Sequence, residues 1–306
     1  MKKIAIVVLN WKQAKLTIDT VDSLLKISHK KFQYQILIID NASPDDSVDQ
    51  FEKKYSNNKN VSIFKTNSNL GYAGGNNFGI KKALNKFNYI LIANNDILVD
   101  PKFLDKLFEE SQKNSNAILT PKIYFAPGFE YWKDKYTAKE RGKVIWAIGG
   151  KIDWNNVYGS NIGIDEVDHG QYDKNHPPMD FISGCCFLIP TKILKKIGLF
   201  DEKYFLYMED ADLTIRAKSA GYELKFVPES IIWHLNSGSS GPNSSLQDYF
   251  ITRNRLIFAF RFVSLRTKFA LIRESIRFLF DKNSSKWRKQ AIIDFYINKT
   301  GKGSWK

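Results

Sequence analysis

Over its first 120 residues the sequence alternates short β-rich runs with helical patterns, and every run stops at polar or glycine-rich residues. Residues 4–9, 36–40, 61–66 and 89–93 carry the β-branched and apolar content of strands. Between them Leu16, Val21, Leu24 and Leu25 recur at helical spacing, as do Val48, Phe51 and Tyr55, and then Phe78, Ala83 and Leu84. Pro101 opens a further helix bearing Phe103, Leu104, Leu107 and Phe108. This order predicts an α/β fold with a parallel sheet flanked by helices. In open sheets of this kind ligands bind beyond the carboxyl ends of the strands. Asn10 with Trp11, Asp40 with Asn41, residues 67–75, and Asn94-Asn95-Asp96 fall there. The same residue types also make plain turns, so none of the four positions defines a site alone.

Farther along, residues 122–179 read as short strands and irregular surface, rich in aromatics, Gly and Asn. Residues 181–189 read as a buried strand interrupted by Gly184, followed by a helix from Thr191. A second helix opens at Glu209 and closes at Gly221, with strand runs at 224–227 and 231–234. Residues 237–245, rich in Ser and Gly, predict a mobile loop, and a largely helical tail follows from 248 to about 298.

With 43% hydrophobic and 25% charged residues, the chain has the material for a packed core, which excludes a disordered or fibrous protein. The formal charge of +14 is uneven. Positions 249–306 hold 14 basic and 3 acidic residues, hence +11, leaving +3 for the first 248. Cys185 and Cys186 are the only cysteines and are adjacent, which excludes a disulfide scaffold and favours a reducing compartment. The apolar run at 4–9 ends at Asn10, too soon for a signal peptide, and no window long enough to span a bilayer follows.

Four groups of residues can carry chemistry. The stretch 67–79 brings four glycines between a strand and a helix, where backbone N–H groups can approach a phosphate; a turn that merely packs a helix tightly is the alternative. It contains neither GxGxxG nor Gly-Lys-Ser/Thr, against a dinucleotide dehydrogenase and a P-loop NTPase. Asp96 places a lone carboxylate at the sheet rim, a ligand suited to a hard divalent cation with substrate phosphates, or simply an Asx turn. Glu209 and Asp210 open a helix, where the dipole is expected to keep a carboxylate ionised for service as a general base; capping is the alternative. His234, after an Ile-Ile-Trp run, is either a packed rim histidine or a partner of Asp96 in a metal site.

Taken together, Asp40, Asn-Leu-Gly-Tyr-Ala-Gly-Gly-Asn-Asn at 69–77, Asn94-Asn95-Asp96, Gly-Cys-Cys-Phe-Leu at 184–188, Gly-Leu-Phe-Asp-Glu at 198–202, Glu-Asp-Ala-Asp-Leu at 209–213, Trp233-His234 and the 249–254 segment resemble family 2 glycosyltransferases, specifically the bacterial rhamnosyltransferase-like branch. The resemblance spans roughly residues 3 to 260. It implies a GT-A fold over residues 1–247, with a nucleotide-sugar half to about 120 and an acceptor half beyond, followed by a basic helical extension over 248–306. It further implies a nucleotide-diphosphate sugar donor, Mn or Mg, and inversion at the anomeric carbon. On this resemblance Asp40 meets a pyrimidine base, with Asn10, Asn41, Asn69, Gly71, Gly75, Asn76 and Asn95 also on the donor side. Asp96 and His234 hold the metal, Asp210 is the base, and Glu209 and Trp233 face the acceptor. Asn94 stands where many relatives have Asp, leaving one carboxylate for the ion. Arg253, with Asn254, can close over the phosphates; a salt bridge within the tail explains it equally well.

The tail interleaves apolar residues with Arg and Lys over 256–282, a surface suited to anionic lipid headgroups and a lipid-linked acceptor. Packing on the catalytic unit or on a second copy in a homodimer is the alternative. A cytoplasmic enzyme resting on the inner face of the plasma membrane is therefore expected. Two rivals stand beside it. One is a nucleic-acid-binding protein, disfavoured because no recognised binding motif accompanies the charge; the other is a catalytically silent, sugar-binding relative.

Overall fold

The structure, a computed structural model, describes residues 1–236 and 244–306. Of the loop expected at 237–245, positions 237–243 lie outside the described residues. The expected alternation is present: β1 (Lys2–Asn10), α1 (Ala14–Leu24), β2 (Phe32–Asp40), α2 (Ser47–Tyr55), β3 (Val61–Lys65), α3 (Gly71–Ala83) and β4 (Tyr89–Ala93). Then come β5 (Ile97–Val99), α4 (Phe103–Lys113), β6 (Ala117–Phe125), β7 (Ile145–Ala147), β8 (Gly150–Asp153) and β9 (Tyr158–Asn161). The chain continues through β10 (Cys186–Pro190), α5 (Thr191–Ile197), α6 (Glu209–Ser219) and β11 (Glu223–His234) into α7 (Ser245–Phe262), α8 (Leu265–Phe280) and α9 (Lys286–Tyr296).

Among the described residues the main sheet runs β3-β2-β1-β4-β10-β6-β11-β5, with β7 on β6 and a separate β8–β9 hairpin. β1 to β4 are parallel, whereas β10 enters antiparallel between β4 and β6. In β1 every residue from Ile4 to Val8 is buried, because both faces of the sheet are covered. The two-residue repeat divides them: Ile4, Ile6 and Val8 face α1, α2 and α4 through Val21, Phe51 and Leu107, while Ala5 and Val7 face α3, α5 and α6 through Ile80, Ile193 and Leu213.

Two readings of the sequence change here. β6 occupies the middle of the sheet, although Pro121 and Lys122 give its sequence the look of an irregular segment. Lys122 is buried because its amine donates to Asp168 at 2.8 Å and Asp173 at 2.6 Å, an ion-paired cluster supplied by residues 168–173. The glycine-rich stretch is helix rather than loop: its glycines lie within α3, which begins at Gly71. A Cβ on Gly75 would meet Leu9 at 2.5 Å and one on Gly79 would meet Val7 at 2.6 Å, so these residues let the helix sit directly on β1.

Candidate active site

The register explains why residues far apart in sequence meet. Asn10 lies beside Asp40 at the ends of β1 and β2, fixing one rim. Cys186 of antiparallel β10 lies beside Ala93 of β4, so residues 183–185 arrive where 94–96 leave. The Asn94 N–H donates to the Cys185 carbonyl at 2.9 Å. His234, ending β11, lies opposite Ile97 of β5, which brings its ring beside Asp96. His234 Nε2 is 3.1 Å from Asp96 Oδ1 and the ring is edge-on to Trp146 at 4.6 Å.

A cavity of about 520 Å³ opens on this rim, lined at the strand ends and the start of α3 by Asn41, Asn69, Gly71, Asn95, Asp96 and His234. Glu209 and Asp210 line it from the N-terminus of α6. Asp96 and Asp210 therefore share one hollow. Asp210 Oδ2 accepts the Gly184 N–H at 2.7 Å and Oδ1 accepts the Ala211 N–H at 2.8 Å. Burial nonetheless pushes the Asp210 carboxyl above the ordinary aspartate range, against the pull of those N–H groups. Burial therefore outweighs the lowering expected from the helix dipole. Glu209 is pushed up further, by burial and then by the Asp210 charge beside it.

Three buried polar atoms without partners belong to cavity-lining residues: Glu209 Oε2, His234 Nδ1 and Trp146 Nε1. Buried polar atoms are normally paired, so each of these leaves a bond for water or an ion to complete. Asp96 and His234 fit a divalent cation: a carboxylate oxygen faces an imidazole nitrogen, and among the described residues no third His, Cys, Asp or Glu completes a cage. The remaining coordination of such an ion would fall to substrate phosphates and water, as Mg sites commonly do.

Several expected contacts are corrected. Asp40 is fully buried and does not reach the cavity; its oxygens accept from Asn10 Nδ2 and the Ser43 N–H, each at 2.9 Å. Asn10 is equally buried, bound between Asp40 and Thr17. This pair shapes the rim from beneath, and Trp11 and Asn41 are the neighbours that line the cavity. Gly75 and Asn76 are interior residues of α3. Trp233 packs against Tyr124 and donates Nε1–H to the Gly142 carbonyl at 2.9 Å, away from the cavity lining. Arg253 is fully buried, its guanidinium donating to the Tyr204 carbonyl at 3.0 Å, so it does not close over phosphates in this state.

The loop before α6 is the part the sequence did not announce. Phe205, Tyr207 and Met208 all have left-handed backbone, with φ of 65°, 71° and 73°. Each such residue costs roughly 1–2 kcal/mol, a strain characteristic of functional sites. The loop is held from both sides. The Phe205 carbonyl accepts the N–H groups of Tyr72 and Ala73, and Gly71 is required there because a Cβ would lie 2.4 Å from that carbonyl oxygen. Asn254 of α7 donates Nδ2–H to the carbonyls of Tyr204, Leu206 and Tyr207 at 2.9, 2.7 and 2.9 Å. The 249–254 segment thus positions the loop that presents Phe205, Leu206 and Tyr207 to the cavity.

A mixed sheet flanked by helices, with its cavity at the strand ends and helices appended, is the GT-A architecture of glycosyltransferases. The chain belongs to glycosyl transferase family 2, whose family model matches residues 4–198. It is a glycosyltransferase, moving a sugar from a nucleotide sugar. It is 26% identical over 220 residues to an N-acetylglucosaminyl-diphospho-decaprenol L-rhamnosyltransferase of Mycobacterium tuberculosis, covering 67% of this chain and 68% of the relative. It is 22% identical over 186 residues to the low-salt glycan biosynthesis hexosyltransferase Agl10 of Haloferax volcanii, covering 60% of this chain and 53% of that one. Among solved structures, GalNAc-T7 with UDP, GalNAc and Mn2+ superposes with a TM-score of 0.65 at 16% identity, over 96% of this chain but only 55% of that one. The Pyrobaculum calidifontis mannosyltransferase PcManGT, in complex with GDP-Man and Mn2+, gives 0.56 at 11% identity, over 99% and 87%. These likenesses establish the fold.

Proposed function

We propose that this chain is an inverting hexosyl- or deoxyhexosyltransferase, using a TDP- or UDP-sugar and a hydroxyl of a surface glycan or lipid-linked acceptor. The observation that carries this reading is that Asp96 and Asp210 line one cavity, at the strand ends where a GT-A fold binds its donor. The nucleotide enters along Trp11, Asn41 and Asn69, and its diphosphate lies toward Asp96 and His234. Asp96 and His234 would hold a divalent ion there, which when bound would supply charge neutralisation for the leaving diphosphate. Asp210 takes the proton of the acceptor hydroxyl as that oxygen attacks the anomeric carbon from the face opposite the leaving group. Its raised proton affinity suits this task, and the Gly184 and Ala211 N–H groups fix the carboxylate plane. The mycobacterial relative's name includes a diphospho-decaprenol, which supports a lipid-linked acceptor here.

Such an acceptor places the enzyme at a bilayer, and α8 has the surface for it. Leu265, Phe269 and Phe280 are 70%, 70% and 82% exposed, with Ile276 beside them. At about 100° per residue these four lie within roughly 60° of one another. Exposed Arg266, Arg273 and Arg277 follow one edge of the stripe, complementary to anionic lipid on the inner face of a plasma membrane. The wider surface expected over 256–282 narrows to this helix, since Leu256, Phe258 and Ala259 of α7 are buried. No helix of the described residues is long and apolar enough to cross a membrane.

The test is a thermal-shift panel of nucleotide sugars with and without Mn or Mg, because a ligand that binds the native state raises its melting temperature. Stabilisation by a TDP- or UDP-sugar, larger with the cation, is the expected outcome. No response to any nucleotide sugar would overturn the reading.

A further inference from the structure

The cavity contains three carboxyl groups, Asp96, Glu209 and Asp210, yet the reading above requires it to accept a diphosphate. Apart from a metal, cationic help has to come from side chains. Among its lining residues only Lys302 and Lys306 are lysine or arginine, and both come from the turn at 301–306. Trp305 of the same turn also lines the cavity, packed against the cluster that holds Phe205, Tyr249 and Phe250. Neither lysine is engaged by a carboxylate among the described residues, and both are exposed.

This turn is built into the protein. The Ser304 N–H donates to Asp294 Oδ2 at 2.7 Å and to Tyr249 Oη at 2.9 Å, and the Ser304 hydroxyl donates to Asp294 Oδ1 at 2.9 Å. Asp294 is fully buried, as are Tyr249 and Arg253. Gly303 has φ of +61°, and a Cβ there would meet Tyr249 Oη at 2.0 Å and Arg253 Nη1 at 2.5 Å, so only glycine lets the turn close onto this network. Trp305 packs on Trp287 at 4.5 Å, and the Gly301 N–H is tied to the Lys203 carbonyl, just before the strained loop. Anchors at Gly301, Ser304 and Trp305 hold a turn whose lysines meet the cavity. This also gives buried Arg253 its place: it supports the base of the turn.

We infer that Lys302 and Lys306 form the cationic wall of the site and bind the diphosphate of a substrate, with Trp305 as an apolar wall beside it. The inference rests on the function proposed above. A diphosphate can reach the cavity from two sources, the nucleotide of the donor or the prenyl diphosphate of a lipid-linked acceptor, and ammonium groups recognise either as point charges.

The test uses the full chain with Mn and measures binding of UDP, dTDP and farnesyl diphosphate by calorimetry. The variants are K302Q/K306Q and, as a control of equal charge loss, K282Q/K286Q, two exposed lysines outside the cavity lining. K302Q/K306Q is expected to weaken at least one class by tenfold or more, with the control within twofold of wild type. Loss confined to UDP and dTDP assigns the lysines to the donor; loss confined to farnesyl diphosphate assigns them to the acceptor. If K302Q/K306Q binds all three like wild type, or if the control loses as much, the inference fails while the proposed function stands. If wild type binds none of the three, both fall.

Discussion

Asn254 offers the sharpest test of how the site is held. Its amide donates to three carbonyls of the 204–207 loop, while its Oδ1 accepts Arg253 Nε and Nη2 at 3.1 and 3.0 Å. Asn254→Asp keeps the volume and the acceptor but, when ionised, has no hydrogen to give. An NH₂ group carries two hydrogens, so about two full bonds are lost, each leaving a buried carbonyl short by about 1–3 kcal/mol. The side chain can escape by taking up a proton. Relative to an ordinary aspartate near 3.9 that costs about 3 × 1.36 ≈ 4 kcal/mol at pH 7, which caps the loss. The variant should therefore unfold about 2–4 kcal/mol more easily at pH 7, a melting shift of several degrees. The sign with pH follows. The Arg253 guanidinium on Oδ1 favours the ionised acid, but the three carbonyls facing the other oxygen repel it and outweigh that pull, so the folded pKa is raised above the unfolded value; below the unfolded pKa the single hydroxyl restores one of the lost bonds, and stability falls as pH rises through the folded pKa. Urea unfolding of both proteins at pH 4.5 and 7 measures this. A deficit of the same size at both values, or none at pH 7, would refute the reasoning.

Other consequences follow from the same geometry. Because burial raises the Asp210 carboxyl, the acid limb of kcat/KM should lie above the ordinary aspartate range, activity falling as pH drops through that value and the base takes up a proton; a limb below 4 contradicts the assignment. Gly71→Ala forces a Cβ toward the Phe205 carbonyl at positive φ, and should cost at least about 2 kcal/mol in denaturant unfolding, together with transfer activity. Phe269→Ser with Phe280→Ser should leave nucleotide binding unchanged and abolish cosedimentation with vesicles rich in phosphatidylglycerol. Chelation should reduce UDP or dTDP affinity in wild type, and the chelated protein should match His234→Ala without chelator; a His234→Ala variant that keeps full metal dependence would remove His234 from the metal site.

Much of this was legible in the sequence, for identifiable reasons. The strands at 4–9 and 89–93 are unbroken apolar runs rich in β-branched residues and bounded by polar ones, the pattern of strands in a doubly covered sheet. Asp96, His234, Glu209 and Asp210 follow or open regular elements, so their convergence was readable from the rule that sites lie at strand ends. What was hidden depended on contacts distant in sequence. The glycines of 71–79 looked like a phosphate loop because no local signal distinguishes close approach to a ligand from close approach to β1. β6 was masked by Lys122, whose burial depends on acids 46 and 51 residues away. Asp40 stands at a strand end, as a site residue should, yet Asn10 and Ser43 engage it internally. The turn at 301–306 gave one faint hint, two glycines three positions before and one before Ser304 and a Trp between lysines, but nothing local aims it at the cavity.

The most direct measurement is the turnover of Asp210→Asn beside its affinity for the donor nucleotide. The amide keeps the size of the acid but cannot accept a proton, so kcat should fall by about 10² to 10⁴ while the nucleotide is bound within twofold of wild type. Turnover close to that of wild type, with donor still bound, would show that the proton leaves by another route and that the shared hollow of Asp96 and Asp210 is not organised as described.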